Sequence, residues 1–258
     1  MILVERKLFW QEHPFIWSEL FLGDEKLFQE VLRNPETIFV YDIDGILAYT
    51  AEKVLRKFSD TYGIPTNPTK IDCWGYLEDL AKTAGWPPEK IEHAEDFWYD
   101  PQILSSVRKH LYIKPVVSKT VGFYGAERNY VLTSRNPGLK DATFKWLARE
   151  FPEIPAENIM IRNDKNMDPA EFKTGCLWWL AKTAPWVVFI DDATDFVKSA
   201  LDSKIDNLVV INIPQGTNMP NFRDVRLIVI KRFPEEIQAM YPLMHAVERA
   251  LNGVQGIQ

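Results

Sequence analysis

Five short runs of almost unbroken apolar residues constrain this chain most: 38–42 (IFVYD), 129–133 (NYVLT), 158–162 (NIMIR), 186–191 (WVVFID) and 207–213 (NLVVINI). A strand with one face in water alternates apolar and polar residues, so continuous runs read as strands buried on both faces. Helical patterns at 138–150, 169–183 and 193–204 separate the later runs. That β-α-β-α alternation specifies a parallel sheet wrapped by helices, a three-layer α/β architecture. A further run at 225–230 (VRLIVI) and an amphipathic helix from Pro234 to about Leu251 are expected to extend the sheet and close the fold.

The alternation breaks after the first run. From Thr50 to about Val116 the chain is rich in Glu, Lys and aromatic residues and holds no segment that reads as a buried strand. Helices are expected at 50–62, 74–84, 88–95 and 101–110, divided by Gly63-Ile64-Pro65, Gly85-Trp86-Pro87-Pro88 and Asp100-Pro101. We therefore divide the chain into a core of residues 1–49 and 117–258 and a helical insert of residues 50–116, which hangs over the carboxyl end of the first strand. Residues 1–36 are assigned no role beyond packing.

Composition sets the outer limits. The 258 residues are 46% hydrophobic, enough for a large core, and the formal net charge is −6. Such a chain offers no basic field for a long phosphate backbone, so nucleic acid is an unexpected partner, although a local basic pocket can still hold one small anion. Cys73 and Cys176 lie far apart without metal-ligand spacing, which fits a reduced cytoplasm and two small hydrophobes. No apolar stretch approaches the roughly 18 residues of a membrane span, and charges at Glu5, Arg6 and Lys7 interrupt the place of a signal peptide. His13, His93, His110 and His245 are scattered, and surface or structural roles are expected for them. Nothing in the sequence fixes an oligomeric state.

The chemistry gathers at strand ends. Asp42, Asp44 and Gly45 fall where the first run enters its loop, and parallel sheets place ligand sites at carboxyl strand ends. Two adjacent carboxylates repel each other, and either a divalent cation with hard oxygen ligands or one retained proton relieves them. A second pair, Asp191 and Asp192, ends the fourth run, and Thr133-Ser134-Arg135 ends the second. Lys173 opens the helix that leads into the acidic strand, where an ammonium can reach an anion. Lys165, directly after the third run, is its rival.

In that order, DxDG, apolar-run-Thr, Lys and apolar-run-Asp-Asp, the chain resembles the haloacid dehalogenase-like superfamily, whose core is Rossmann-like. The motifs span residues 38–192. The resemblance implies a Mg2+-dependent phosphatase with Asp42 as nucleophile and an aspartyl-phosphate intermediate. Asp44 would protonate the leaving oxygen and then activate water, its carbonyl binding the metal. Thr133 would hold a phosphoryl oxygen, Lys173 would neutralise charge, and Asp192 would ligate the metal with Asp191 in support. Ser134 and Arg135 would contact substrate. Asp44 favours ester hydrolysis, since dehalogenating members lack that carboxylate. Ile46 departs from the threonine that the superfamily usually places after DxDG.

The insert corresponds to a C1-type cap, which implies a small phosphorylated substrate. The layout resembles the 5′(3′)-deoxyribonucleotidases, with Arg135-Asn136-Pro137 similar to their turn after the motif threonine. Arg162 to Lys173 followed by Ile-Asp-Asp is also similar to polynucleotide 3′-phosphatases. Trp74, Tyr76, Trp86, Phe97, Trp98 and Tyr99 can stack on a base, but a small core internal to the insert is the expected use of most of them. Two alternatives stay open: a noncatalytic phosphometabolite-binding protein, and a 3′-end phosphatase.

Overall fold

The computed structural model describes residues 21–67, 75–110, 113–214, 219–230 and 247–249. Seven strands form one sheet: β1 (Phe21–Leu22), β2 (Ile38–Tyr41), β3 (Asn129–Thr133), β4 (Ile159–Ile161), β5 (Val187–Asp191), β6 (Leu208–Asn212) and β7 (Leu227–Ile230). Their order is β1-β7-β6-β5-β2-β3-β4, parallel throughout except for the β1–β7 pair. Four of the five strong apolar runs are inner strands, the run at 158–162 forms the half-buried edge strand β4, and the weak run at 225–230 shortens to β7. The helix expected from Pro234 lies almost wholly outside the described residues.

The sheet is buried on both faces because its side chains feed two cores. Phe39 and Tyr41 of β2 belong to one cluster with Val131, Val188 and Ile190, whereas Ile38 and Val40 belong to the other with Leu132, Val187 and Phe189. This period-two division is what continuous apolarity on a parallel strand produces. The helices are α1 (Glu25–Arg33), α2 (Thr50–Tyr62), α3 (Tyr76–Thr83), α4 (Pro88–Ile91), α5 (Pro101–Ser105), α6 (Ile113–Tyr124), α7 (Lys140–Glu150), α8 (Pro169–Ala181) and α9 (Thr194–Asp202). The second core lies beneath α8 and α9, which contribute Leu177, Leu180, Val197 and Ala200.

Local chemistry sets the helix that matters most for the site. Asp168 caps α8, its Oδ1 accepting from the backbone N–H groups of Ala170 and Glu171 at 2.9 Å each, and Pro169 occupies the first turn, where no intrahelical donor is needed. Leu177 and Leu180 then face the sheet. Trp178, one step around the helix from Leu177, is 55% exposed and lies under the Lys182 ammonium.

Residues between α2 and α5 form a third cluster around Val54, Leu55, Phe58, Leu77 and Ile103. Tyr76, Trp86, Phe97 and Trp98 pack against it, so these aromatics serve the insert's own core, while Tyr99 is exposed and Trp74 lies outside the described residues. Three departures from the sequence reading occur here, the first being that the helix expected over 88–95 ends at Ile91 and residues 94–99 wind as a separate 3-10 helix. The helix expected over 101–110 stops at Ser105, because the chain then runs back to bridge Ala48 at Lys109, with His110 N–H donating to the Leu47 carbonyl at 2.8 Å. Helix α6 was not anticipated, since its β-branched residues and Pro115 have low helix propensity; packing Ile113, Val116, Val117 and Tyr124 into the first core stabilises it instead. No helix among the described residues is long and apolar enough to cross a membrane.

Candidate active site

Strand order creates the site. The chain leaves β2 toward β3 and β4 on one side and returns to β5, β6 and β7 on the other, so the carboxyl end of β2 stands at the topological switch point, where such sheets bind ligands. Asp42 follows β2 directly and keeps the sheet pairing, its N–H donating to the Ile190 carbonyl at 2.9 Å. Gly45, at φ 84°, makes the turn that brings Asp44 back over the strand end. Ile46 is fully buried in the first core, which explains an apolar residue where the resemblance led us to expect threonine.

Lys173 projects from α8 and joins the two acidic strands: Nζ donates to Asp42 Oδ1 at 2.8 Å and to Asp191 Oδ2 at 2.7 Å. Its ammonium also lies 4.1 Å from the centroid of the Phe196 ring. Burial opposes a charge there, but the two carboxylates outweigh it and push the Lys173 pKa up. Lys165 is exposed on the loop before α8 and makes no such contact. Asp191 also accepts from the Ala193 N–H at 2.8 Å, and Asn212 at the end of β6 donates to the carbonyls of Asp191 and Asp192.

Asp42, Asp191 and Asp192 each bring one carboxylate oxygen to within 4.8 Å of the others. Three buried or half-buried carboxylates meet one ammonium, and the surplus negative charge registers in the titration of Asp42 and Asp192. Burial raises Asp42 to about 7 despite Lys173, with Asp191 and Asp44 adding repulsion, and burial with Asp191 and Asp42 raises Asp192 well above the usual range. Hard oxygen donors in this number, with an uncompensated charge among them, suit a divalent cation.

Asp44 stands outside that cluster. Arg135 Nε donates to its Oδ2 at 2.9 Å, Arg135 Nη2 to its Oδ1 at 2.6 Å, and Thr50 Oγ1 to Oδ1 at 2.5 Å. Burial disfavours the charge on Asp44, but Arg135 and Thr50 overcome it and hold the pKa low. Arg135 is itself tied to Thr143 Oγ1 at 3.2 Å, so its guanidinium is engaged by the protein rather than left open. Thr133, fully buried at the end of β3, accepts the Arg135 N–H. Ser134 is half-buried.

The structure thus brings Asp42, Asp44, Thr133, Arg135, Lys173, Asp191 and Asp192 to one sheet edge. Sequence reasoning missed Thr50, Thr143, Phe196 and Asn212. A signal existed for Asn212, a polar residue ending an otherwise apolar buried strand; none exists for Thr143, whose partner is distant in sequence. His93 pairs with Asp96 on the surface and His110 packs against the Tyr49 ring, neither being a member of the acidic cluster, while His13, His245 and Cys73 lie outside the described residues.

A family model described as 5′-nucleotidase, deoxy (pyrimidine), cytosolic type C protein matches residues 36–173, from β2 through Lys173. No curated protein sequence matches the chain. A haloacid dehalogenase-like hydrolase from Streptococcus pneumoniae superposes with a TM-score of 0.52 at 15% identity, over 80% of this chain and 99% of that one. A predicted phosphoglycolate phosphatase from Haemophilus somnus 129pt superposes with a TM-score of 0.51 at 13% identity, over 72% of this chain and 90% of that one. At these identities the two structures establish the fold.

Proposed function

The chain belongs to the 5′-nucleotidase, deoxy (pyrimidine), cytosolic type C family, a phosphatase family on the haloacid dehalogenase fold, and from that premise we propose a Mg2+-dependent phosphomonoesterase that acts on a nucleotide or similar small phosphorylated metabolite in the cytoplasm. The observation that carries this reading is the Asp42–Lys173–Asp191 bridge at the switch point of the sheet. The insert read as residues 50–116 serves as its cap over a core of 1–49 and 117–258, with Ile113 and Val116 of α6 already packed into that core.

Asp42 attacks phosphorus with a carboxylate oxygen, the phosphorus–oxygen ester bond breaks, and the substrate phosphoryl group becomes an acyl phosphate on Asp42. A substrate arriving as the phosphate monoanion gives its proton to Asp44, which the resting site holds as a carboxylate, and Asp44 passes that proton to the departing alkoxide. Asp44, again a carboxylate, then removes a proton from water, whose oxygen attacks phosphorus and releases inorganic phosphate and free Asp42. Arg135 and Thr50 orient Asp44 for both transfers. Lys173 offsets the negative charge that accumulates as the phosphate anion approaches Asp42, and the Thr133 hydroxyl donates to a phosphoryl oxygen. Asp42, Asp191, Asp192 and the Asp44 carbonyl would hold the cation. When bound, it polarises the phosphoryl oxygens and offsets the repulsion between carboxylate and phosphate.

The test is release of inorganic phosphate, with Mg2+ present, from nucleoside monophosphates, sugar phosphates and 3′-phosphorylated oligonucleotides in parallel. Turnover of the first class, lost in Asp42→Asn, is the expected result. Full activity of Asp42→Asn would sink the covalent mechanism, because an amide does not form the acyl phosphate.

A further inference from the structure

Arg162 is an unexplained charge. It follows β4 directly, is 9% exposed, and spends one hydrogen bond, Nη1 to the Met167 carbonyl at 2.7 Å, while its buried Nε has no hydrogen-bond partner among the described residues. No carboxylate among those residues pairs with it. Burying a guanidinium against a single neutral acceptor is costly, and an anion arriving from outside removes that cost.

Its location says which anion. Thr133 pairs with Ile161 across β3 and β4, and Arg162 N–H donates to the Thr133 carbonyl, so Arg162 stands level with Ser134. Strand alternation puts Arg162 and Ser134 on the face of Met160 and Leu132, the α8 face, which is also the face of Ile38, Val40 and hence Asp42. Ser134 is half-buried, and its hydroxyl has no hydrogen-bond partner among the described residues. From the registers, Arg162 lies two strands across and two residues beyond Asp42, a Cα separation of roughly 12 Å by ordinary strand spacings. A pentose carrying a phosphate at each end fits between two groups anchored at about that separation.

We propose that Arg162, with Ser134, forms a second anion subsite beside Asp42 that takes a further phosphate group on the substrate, making a nucleoside bisphosphate the preferred class over a monophosphate. The guanidinium fork matches two oxygens of a phosphate, and the serine hydroxyl supplies a third donor. This rests on the reading of Asp42 as the site of phosphate cleavage.

The experiment compares kcat/KM for thymidine 3′,5′-bisphosphate and thymidine 5′-monophosphate in the wild type, Arg162→Gln and Arg162→Lys. Gln keeps a donor for the Met167 carbonyl while removing the charge, which separates subsite from scaffold. The wild type is expected to favour the bisphosphate by about tenfold or more, with the ratio falling toward one in Arg162→Gln and to an intermediate value in Arg162→Lys, which keeps the charge but loses the fork. No wild-type preference, or an equal loss on both substrates in Arg162→Gln, would overturn the subsite. So would an Arg162-dependent preference for a 3′-phosphorylated oligonucleotide over the bisphosphate, which assigns the charge to a polymer. Hydrolysis of neither nucleotide fails the phosphatase reading instead, and equilibrium binding of thymidine 3′,5′-bisphosphate then decides the subsite: at least tenfold weakening in Arg162→Gln upholds it, and equal affinity overturns it.

Discussion

Arg135 grips Asp44 through two parallel hydrogen bonds, Nε to Oδ2 at 2.9 Å and Nη2 to Oδ1 at 2.6 Å. Only a planar guanidinium makes this fork, and the same group reaches Thr143 behind it. Lysine at 135 retains charge but loses the second contact, so Asp44 is no longer fixed in orientation. Arg135→Lys is therefore expected to lower kcat for a nucleotide about 10- to 100-fold with a smaller change in KM. Steady-state kinetics checks this, and an unchanged kcat would remove Arg135 from the positioning of Asp44.

Asp44 itself is tested through the leaving group. An alkoxide leaving from a nucleotide needs a proton, whereas p-nitrophenolate leaves without one. Asp44→Asn should depress nucleotide hydrolysis about 100-fold or more and p-nitrophenyl phosphate hydrolysis much less in the first step, read as burst kinetics. Equal loss of the burst on both substrates would contradict a role in leaving-group protonation.

Lys173→Met removes the ammonium between Asp42 and Asp191, a change expected to cost about 10²- to 10³-fold in kcat through lost charge stabilisation. It also leaves two buried carboxylates unpaired. Chemical denaturation without metal should show a loss of about 3–5 kcal/mol at neutral pH, with Mg2+ restoring part of it. Stability equal to wild type in EDTA would argue that Lys173 does not carry the charge balance of the cluster.

Metal-free stability should depend on pH in a defined direction. Burial, with Asp191 and Asp44 nearby, raises the Asp42 carboxyl from 3.8 to about 7 in the folded chain, so the folded form holds a proton that the unfolded form has shed. The stability from that proton is full below about pH 4, falls as pH rises through the window and is gone above about 7, up to about 4 kcal/mol in all. Melting temperature in EDTA is thus expected to fall from about pH 5 to 8, Asp42→Asn to flatten the fall, and Mg2+ to stabilise most at the higher pH. A rise in EDTA over the same window would reverse the assignment.

Asp42, Thr133 and Asp191 were legible because each ends an apolar run whose length and continuity mark a buried parallel strand, and such strands deliver their last residues to one edge. Lys173 was legible from its place in the helix before the acidic strand. The partner of Arg135 was not: residue type does not distinguish an arginine that awaits an anion from one that already holds Asp44, 91 positions away. Helix α6 was hidden for a related reason, since Val116, Val117 and Thr120 favour strands locally and become helical only by burial against distant residues. Residues 106–110 failed likewise, their extended path being set by Ala48 and α7 rather than by their own sequence.

That path gives the last prediction. Three side chains of α7 fasten the segment by which the chain returns from the insert: Trp146 Nε1 donates to the Val107 carbonyl at 2.9 Å, Arg149 Nη2 to the Ser105 carbonyl at 3.0 Å, and Glu150 accepts from Lys109 Nζ at 2.9 Å. The first contact is buried and the others lie nearer solvent, so Trp146 should dominate the fastening. Phenylalanine at 146 leaves the Val107 carbonyl without its donor in a dry environment. Urea denaturation of Trp146→Phe is expected to show a loss of about 1–3 kcal/mol, whereas Arg149→Ala should lose less than about 1 kcal/mol. If the two variants lost equal stability, the buried indole contact would not be what holds the returning segment to the core.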